Sequence, residues 1–193
     1  MKPILFNTEM VQAILEGRKT TTRRIIKVNN SLEFMGFKEG KALLGKGCCI
    51  HETIKAPYML GDILYVRETW KQYEKRVGRG NQCHLEKFYG YKTDESNPKN
   101  PSEFYDGNWK PSIHMPKVAA RIFLKVIGVR VERLQDIAEQ GIKAEGITEE
   151  WPPHAMDKFQ ELWDSTTKEY KWRLNPWVWV IEFERIEKSE VEQ

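Results

Sequence analysis

The chain has 193 residues, 40% of them apolar and 31% charged, and its mean hydropathy is −0.64. That balance belongs to a folded globular chain and excludes a disordered or collagen-like one. Lysine and arginine number 31 against 28 acids, and a formal net charge of +3 is too small by itself to indicate nucleic-acid binding.

At roughly 150 residues per domain the length predicts a single domain. A chain of this size buries roughly 70% of its unfolded surface and needs no metal or disulfide to fold. No apolar run is long enough to span a membrane, and the N-terminal apolar stretch is too short for a signal peptide. The three cysteines, Cys48, Cys49 and Cys83, are odd in number, which points to a reducing, cytoplasmic setting. Together with His51 and His84 they do not offer the roughly two- to four-residue spacing by which paired side chains reach one zinc ion, so no metal is expected.

In chain order, residues 3–6 read as a short strand. Asn7 or Thr8 then caps a helix whose apolar stripe is Met10, Val11, Ile14 and Leu15, and Gly17 stops it. A loop from Lys19 enters a strand toward Ile26. Residues 28–57 read as an insertion or hairpin. Gly61-Asp62 makes a turn before a strand over 63–70, with Leu64, Val66, Glu68 and Trp70 on one face. Residues 71–112 form a long polar excursion. A long strand over 119–133 changes phase near Gly128, which predicts a β-bulge. Asp136 and Glu139 have capping-box spacing for a short helix carrying Ile137, Gly141 and Glu145 on one face. A second helix follows Pro152-Pro153, and Trp177, Trp179, Ile181 and Phe183 alternate in a last strand. This order, with a bulge and few βαβ units, predicts an α+β fold: a small β-barrel with peripheral helices and two long insertions, about 28–57 and 71–112.

Charge is polarised along the chain. Residues 17–27 carry Arg18, Lys19, Arg23, Arg24 and Lys27 with no acid, whereas residues 182–193 carry five acids and two bases. In the first run three threonines are threaded among the cations. A lysine crowded by cations gives up its proton more easily and can act as a base, beside a threonine hydroxyl able to attack; a solvated basic turn is the other reading. Glu145 continues an inward helical face near a helix C-terminus. Burial and the negative end of the helix dipole both disfavour its carboxylate, which suits a general acid; a surface glutamate before Gly146 is the alternative. Glu68 and Trp70 either hold a base by hydrogen bonding and stacking, or belong to the core with Glu68 paired to Arg24 or Arg121.

Five stretches carry a resemblance: Gly17 to Arg24, Gly61 to Trp70, Met115 to Lys117, Val131 to Ile137, and Asn175 to Val180. Together they resemble the ASCH domain family in its bacteriophage and prophage form, which implies a PUA-like barrel and a bacterial cytoplasmic setting. Gly17, Lys19 and Arg24 match the family signature, and Thr22 stands where a glutamate is frequent. In that respect the chain resembles the small bacterial amidohydrolases that deacetylate N(4)-acetylcytidine. The resemblance implies Lys19 as base, Thr22 as nucleophile and Glu145 as acid, with Arg24, Arg67, Glu68, Trp70 and Arg121 on the substrate side. It implies a nucleoside substrate and neither cofactor nor metal. An RNA-binding module, a ribonuclease or a non-enzymatic phage accessory protein are the alternatives. Both insertions lack a counterpart in the small amidohydrolases.

Overall fold

Where one face of a strand is covered its apolar residues alternate; where both are covered they run on without a break. The computed structural model describes residues 1–28, 32–94, 108–149 and 151–191. β1 (Lys2–Leu5) leads into α1 (Thr8–Leu15), and β2 (Thr21–Ile25) follows. β3 (Glu33–Lys38), β4 (Lys41–Lys46) and β5 (Cys49–Lys55) occupy the first expected insertion. β6 (Ile63–Arg67) precedes a hairpin of β7 (Trp70–Val77) and β8 (His84–Tyr91). β9 (Phe123–Arg133) is followed by α2 (Glu139–Ala144), α3 (Pro152–Thr166), β10 (Trp177–Ile186) and α4 (Lys188–Val191). The fold is mixed α+β. Residues 95–107 of the expected excursion, and the last two of the acidic tail, lie outside the described residues. Among the described residues no helix is long and apolar enough to cross a membrane.

Five strands form the main sheet in the order β1-β6-β9-β10-β2. β1 and β6 run parallel, and the other neighbours are antiparallel. Ile4, Val66, Leu124, Trp179 and Phe183 meet in one core with Val11 and Ile14 of α1, and Ala42 and Leu44 of β4 join the same cluster. On the opposite face Val178 and Val180 pack with Ile142 of α2 and with Phe159 and Trp163 of α3. β10 is therefore buried on both faces, which explains its unbroken apolar run from Trp177 to Ile181. Full burial of such side chains is worth about 1.5–3 kcal/mol each.

The sheet curls without closing, so the expected barrel is not formed. No ladder among the described residues joins edge strand β1 to edge strand β2. β1 ends at Leu5 because Asn7 already caps α1, its Oδ1 accepting the Met10 N–H at 2.8 Å. Across the gap, the Arg24 guanidinium donates to the Leu5 carbonyl at 3.2 Å.

Other local expectations meet the structure unevenly. The bulge is present: Glu182 pairs with Gly128 and Phe183 with Val126, leaving Ile127 as the extra residue. The strand over 63–70 breaks after Arg67, because the Glu68 N–H turns to Met115 Sδ at 3.2 Å and the Thr69 carbonyl accepts from Lys92. The long strand begins at Phe123 rather than Ala119, since residues 117–119 form a 3₁₀ turn after Pro116. The capping box is not made. Asp136 ends a 3₁₀ turn, Ala138 takes the N-cap without a side-chain bond, and Glu139 pairs instead with Lys143 at 2.6 Å.

Two glycines bring α1, α2 and β2 together. Gly17, at φ +74°, turns the chain so that both Arg18 and Lys19 donate backbone N–H groups to the Ala13 carbonyl. Gly146, at φ +95°, ends α2 where an added Cβ would lie 2.8 Å from Ala13 Cβ and 3.1 Å from Lys19 Cβ. Gly146→Ala is expected to cost about 1–3 kcal/mol through strain and overpacking. Urea denaturation measures this; an unchanged midpoint would contradict the packing described.

Candidate active site

Lys19 is 2% exposed, so its side chain needs partners inside the protein. It finds three: the Thr21 carbonyl at 2.8 Å, the Glu145 carbonyl at 3.1 Å, and Glu145 Oε2 in an ion pair. The backbone brings the two together, because Lys19 and Glu145 form an isolated β-bridge and Thr20 N donates to Ala144 O at 2.8 Å. Glu145 is the C-cap of α2 and 5% exposed. Burial holds the Lys19 ammonium below its ordinary value of 10.5; Glu145 pulls it back up, and Arg24 and Arg23 push it further down.

β2 distributes its side chains on two sides. Thr22, 1% exposed, accepts a hydrogen bond at Oγ1 from Arg24 Nη1 at 2.8 Å. The Arg24 guanidinium sits over the Phe6 ring, 5.5 Å from its centroid. Burial lowers its pKa, while Tyr58 and Glu145 act the other way; burial raises the Tyr58 phenol. Arg23 points to the opposite side. Its Nη1 donates to Glu145 Oε1 at 2.9 Å, and its Nε and Nη2 donate to Glu132 Oε1 at 3.0 and 2.7 Å.

Thr22, Arg23, Arg24, Tyr58 and Glu145 line a cavity of about 620 Å³ at the open seam of the sheet. Leu5 and Phe6 form one wall, Thr22 to Ile25 another, and Phe159 and Trp163 of α3 a third, with Glu145 exposed to the space between. Lys19 stands behind Glu145 rather than on the surface. The volume suits a small organic ligand. The arrangement brings together an amine whose charged form burial disfavours, a guanidinium-bonded hydroxyl and a carboxylate.

The other expected substrate residues lie elsewhere. Arg67 donates to the Met115 carbonyl at 2.8 Å. Glu68, 1% exposed, is held by Arg121 through Nε at 3.0 Å and Nη2 at 3.1 Å, and by the Thr93 hydroxyl at 2.9 Å. Arg121 also reaches Asp94 at 2.8 Å and stacks 3.9 Å from the centre of the Tyr91 ring. Burial opposes its charge, but Glu68 and Asp94 outweigh burial and raise its pKa. Burial pushes Tyr91 up to about 12. Trp70 packs with Met115, Ala119, Ala120 and Phe123 and does not face the cavity. A base cannot stack on it there, because it is 5% exposed and Lys110 already lies over its ring. Its Nε1 is the one buried side-chain polar atom among the described residues without a partner. This second cluster clamps the base of the β7–β8 hairpin to the sheet.

No protein-family model matches the chain, and no curated protein does. Among solved structures, the crystal structure of protein EF3133 from Enterococcus faecalis V583, described as family-model DUF984, matches with a TM-score of 0.41 and 10% identity, over 94% of this chain and 71% of that one. A likeness of that size carries no argument.

Residue patterns alone do not mark Arg23 and Glu132 as site residues. Alternation along β2 separates Arg23 from Arg24, and that signal was available; the pairing of β10 between β2 and β9, which brings Glu132 within reach, was not. Removal of Arg121 would leave the buried Glu68 carboxylate without its cation. Arg121→Leu is expected to cost about 3–5 kcal/mol. It should also speed amide exchange in β7–β8 more than in β10, and uniform acceleration would contradict a local clamp.

Proposed function

We propose that the cavity hydrolyses an acylated exocyclic amine on a cytidine-type nucleoside, with N(4)-acetylcytidine as reference substrate, and that the chain is an ASCH-type domain whose curled, open sheet is its version of the PUA-like barrel. The observation that carries this reading is a cavity lined by Thr22, Arg24 and Glu145, with Lys19 paired to Glu145 behind it. The resemblance read from the sequence implies Lys19 as base, Thr22 as nucleophile and Glu145 as acid, with Arg24 on the substrate side.

The chemistry needs one proton on the Lys19–Glu145 pair. With that proton on Glu145, Lys19 is a free amine and Glu145 an acid. Lys19 takes a proton from the Thr22 hydroxyl, or from a water in its place, and the oxygen attacks the acetyl carbonyl. A carbon–oxygen bond forms as the carbonyl electron pair moves to oxygen, where the Arg24 guanidinium steadies it. The tetrahedral centre collapses, the carbon–nitrogen bond breaks, and Glu145 protonates the departing amine. Lys19 then returns its proton to Glu145. If Thr22 attacked, water hydrolyses the resulting ester through the same groups, and the products are acetate and the free amine.

Only the singly protonated pair supplies both base and acid, so activity is bell-shaped in pH. Its alkaline limb marks loss of the last proton and lies below 10.5, because burial lowers Lys19. Purified protein should convert N(4)-acetylcytidine to cytidine, followed by chromatography. Lys19→Ala and Glu145→Ala should each lower turnover by about 100-fold or more, with circular dichroism confirming a folded chain. Wild type leaving the substrate intact, or undiminished turnover in folded Lys19→Ala, would overturn the proposal.

A further inference from the structure

Glu145 has two carboxylate oxygens, and the structure treats them differently. Oε2 faces Lys19, whereas Oε1 accepts from Arg23 Nη1 at 2.9 Å. Arg23 lies in the cavity wall beside Glu145 but has no part in the chemistry derived above. Its side chain is 1% exposed, and its guanidinium carbon lies 5.8 Å from the centre of the Phe159 ring. The other edge of the guanidinium is spent on Glu132 Oε1. Glu132 is held in turn by Arg130, Nε to Oε2 at 3.3 Å. Room for the guanidinium comes from Gly141, where an added Cβ would lie 3.1 Å from Arg23 Nη2.

We infer that Arg23 and Glu132 are a positioning pair: Arg23 grips Oε1 so that the mobile proton of Glu145 resides on Oε2, and Glu132 balances the Arg23 charge so that this proton can pass to and from Lys19. The inference rests on the hydrolytic reading of the site. A guanidinium has no proton to give at working pH, and both edges of Arg23 are taken by Glu145 and Glu132, so Arg23 acts through Glu145. Without Glu132 its full charge would bear on the Lys19–Glu145 pair. With Glu132 in a forked contact, much of that charge is answered on the far side.

The two partners have opposite signs, so their removal should move the pair in opposite directions. The charged and titratable groups facing Lys19 are Glu145 from the end of α2 and Arg23 and Arg24 from β2; Tyr58 stands beyond Arg24, and Glu132 with Arg130 beyond Arg23. Arg23→Gln removes a cation, so Lys19 keeps its proton to higher pH and the alkaline limb moves up. Glu132→Gln removes an anion, and the limb moves down. A purely structural role would change stability or overall rate without splitting the limb in two directions.

The experiment measures pH profiles of N(4)-acetylcytidine hydrolysis for wild type, Arg23→Gln, Arg23→Lys and Glu132→Gln. Alongside, the Lys19 side chain is titrated by carbon NMR of ε-labelled lysine, assigned with Lys19→Met. Arg23→Gln should lower kcat on the order of 10- to 100-fold, with KM within about twofold, because misplacement rather than lost binding is the defect. Arg23→Lys keeps the charge and loses the fork, so it should hold the limb near the wild-type position while kcat stays reduced. An active wild type whose limb and Lys19 midpoint coincide with those of Arg23→Gln and Glu132→Gln overturns the positioning pair. A wild type inactive on N(4)-acetylcytidine overturns the hydrolytic reading instead, and the NMR midpoints then decide: opposite shifts uphold the pair's control of the Lys19 proton, and coincident midpoints overturn it.

Discussion

A lysine ammonium and a glutamate carboxylate buried against each other constrain everything around them. Ions taken out of water cost several kcal/mol each unless the protein returns equivalent bonds. The fold returns them to Lys19 from Thr21 and Glu145, and to Glu145 from Lys19 and Arg23. Three pieces of chain must converge for this: the turn after α1, the end of α2, and β2. Gly17 and Gly146 permit that convergence, each in a backbone conformation that side chains disfavour.

The seam of the sheet follows from the same geometry. β2 is committed on one edge to β10, and among the described residues no strand pairs with its other edge. A closed barrel would fill that space with backbone. Here Arg24 spans it, and a cavity remains with the ion pair at its wall. The proposed chemistry uses the gap: Thr22 and Glu145 line it, while Lys19 is buried behind them. Desolvation lowers the pKa of the amine, which favours the proposed use as a base.

Much of this was legible from residue patterns. The capped first helix, the bulge near Gly128 and the apolar final strand all have local signatures. The Lys19 run stood out by charge density and Glu145 by helical spacing, while Thr22 and Arg24 were singled out by the family resemblance. The open seam did not, because β1 and β2 meet only through the order of the strands, which alternation along a single strand does not encode. The capping box failed for a related reason: spacing matched, but a 3₁₀ turn moved the helix start to Ala138. Glu68 and Trp70 share a face only if residues 63–70 are one strand. A Met115 sulfur and the Arg121 fork, distant in sequence, end that strand early. Long-range partners thus decide which of two carboxylates on apolar faces lines the cavity and which clamps a hairpin.

The physical centre of the account is the coupling between Lys19 and Glu145, and a double-mutant cycle measures it most directly. Lys19→Met, Glu145→Gln and the double variant would be compared with wild type by urea denaturation. Each single change should lose about 3–5 kcal/mol by stranding a buried charged partner. The double variant should lose less than the sum, by on the order of 1–3 kcal/mol. Strictly additive losses would contradict the account.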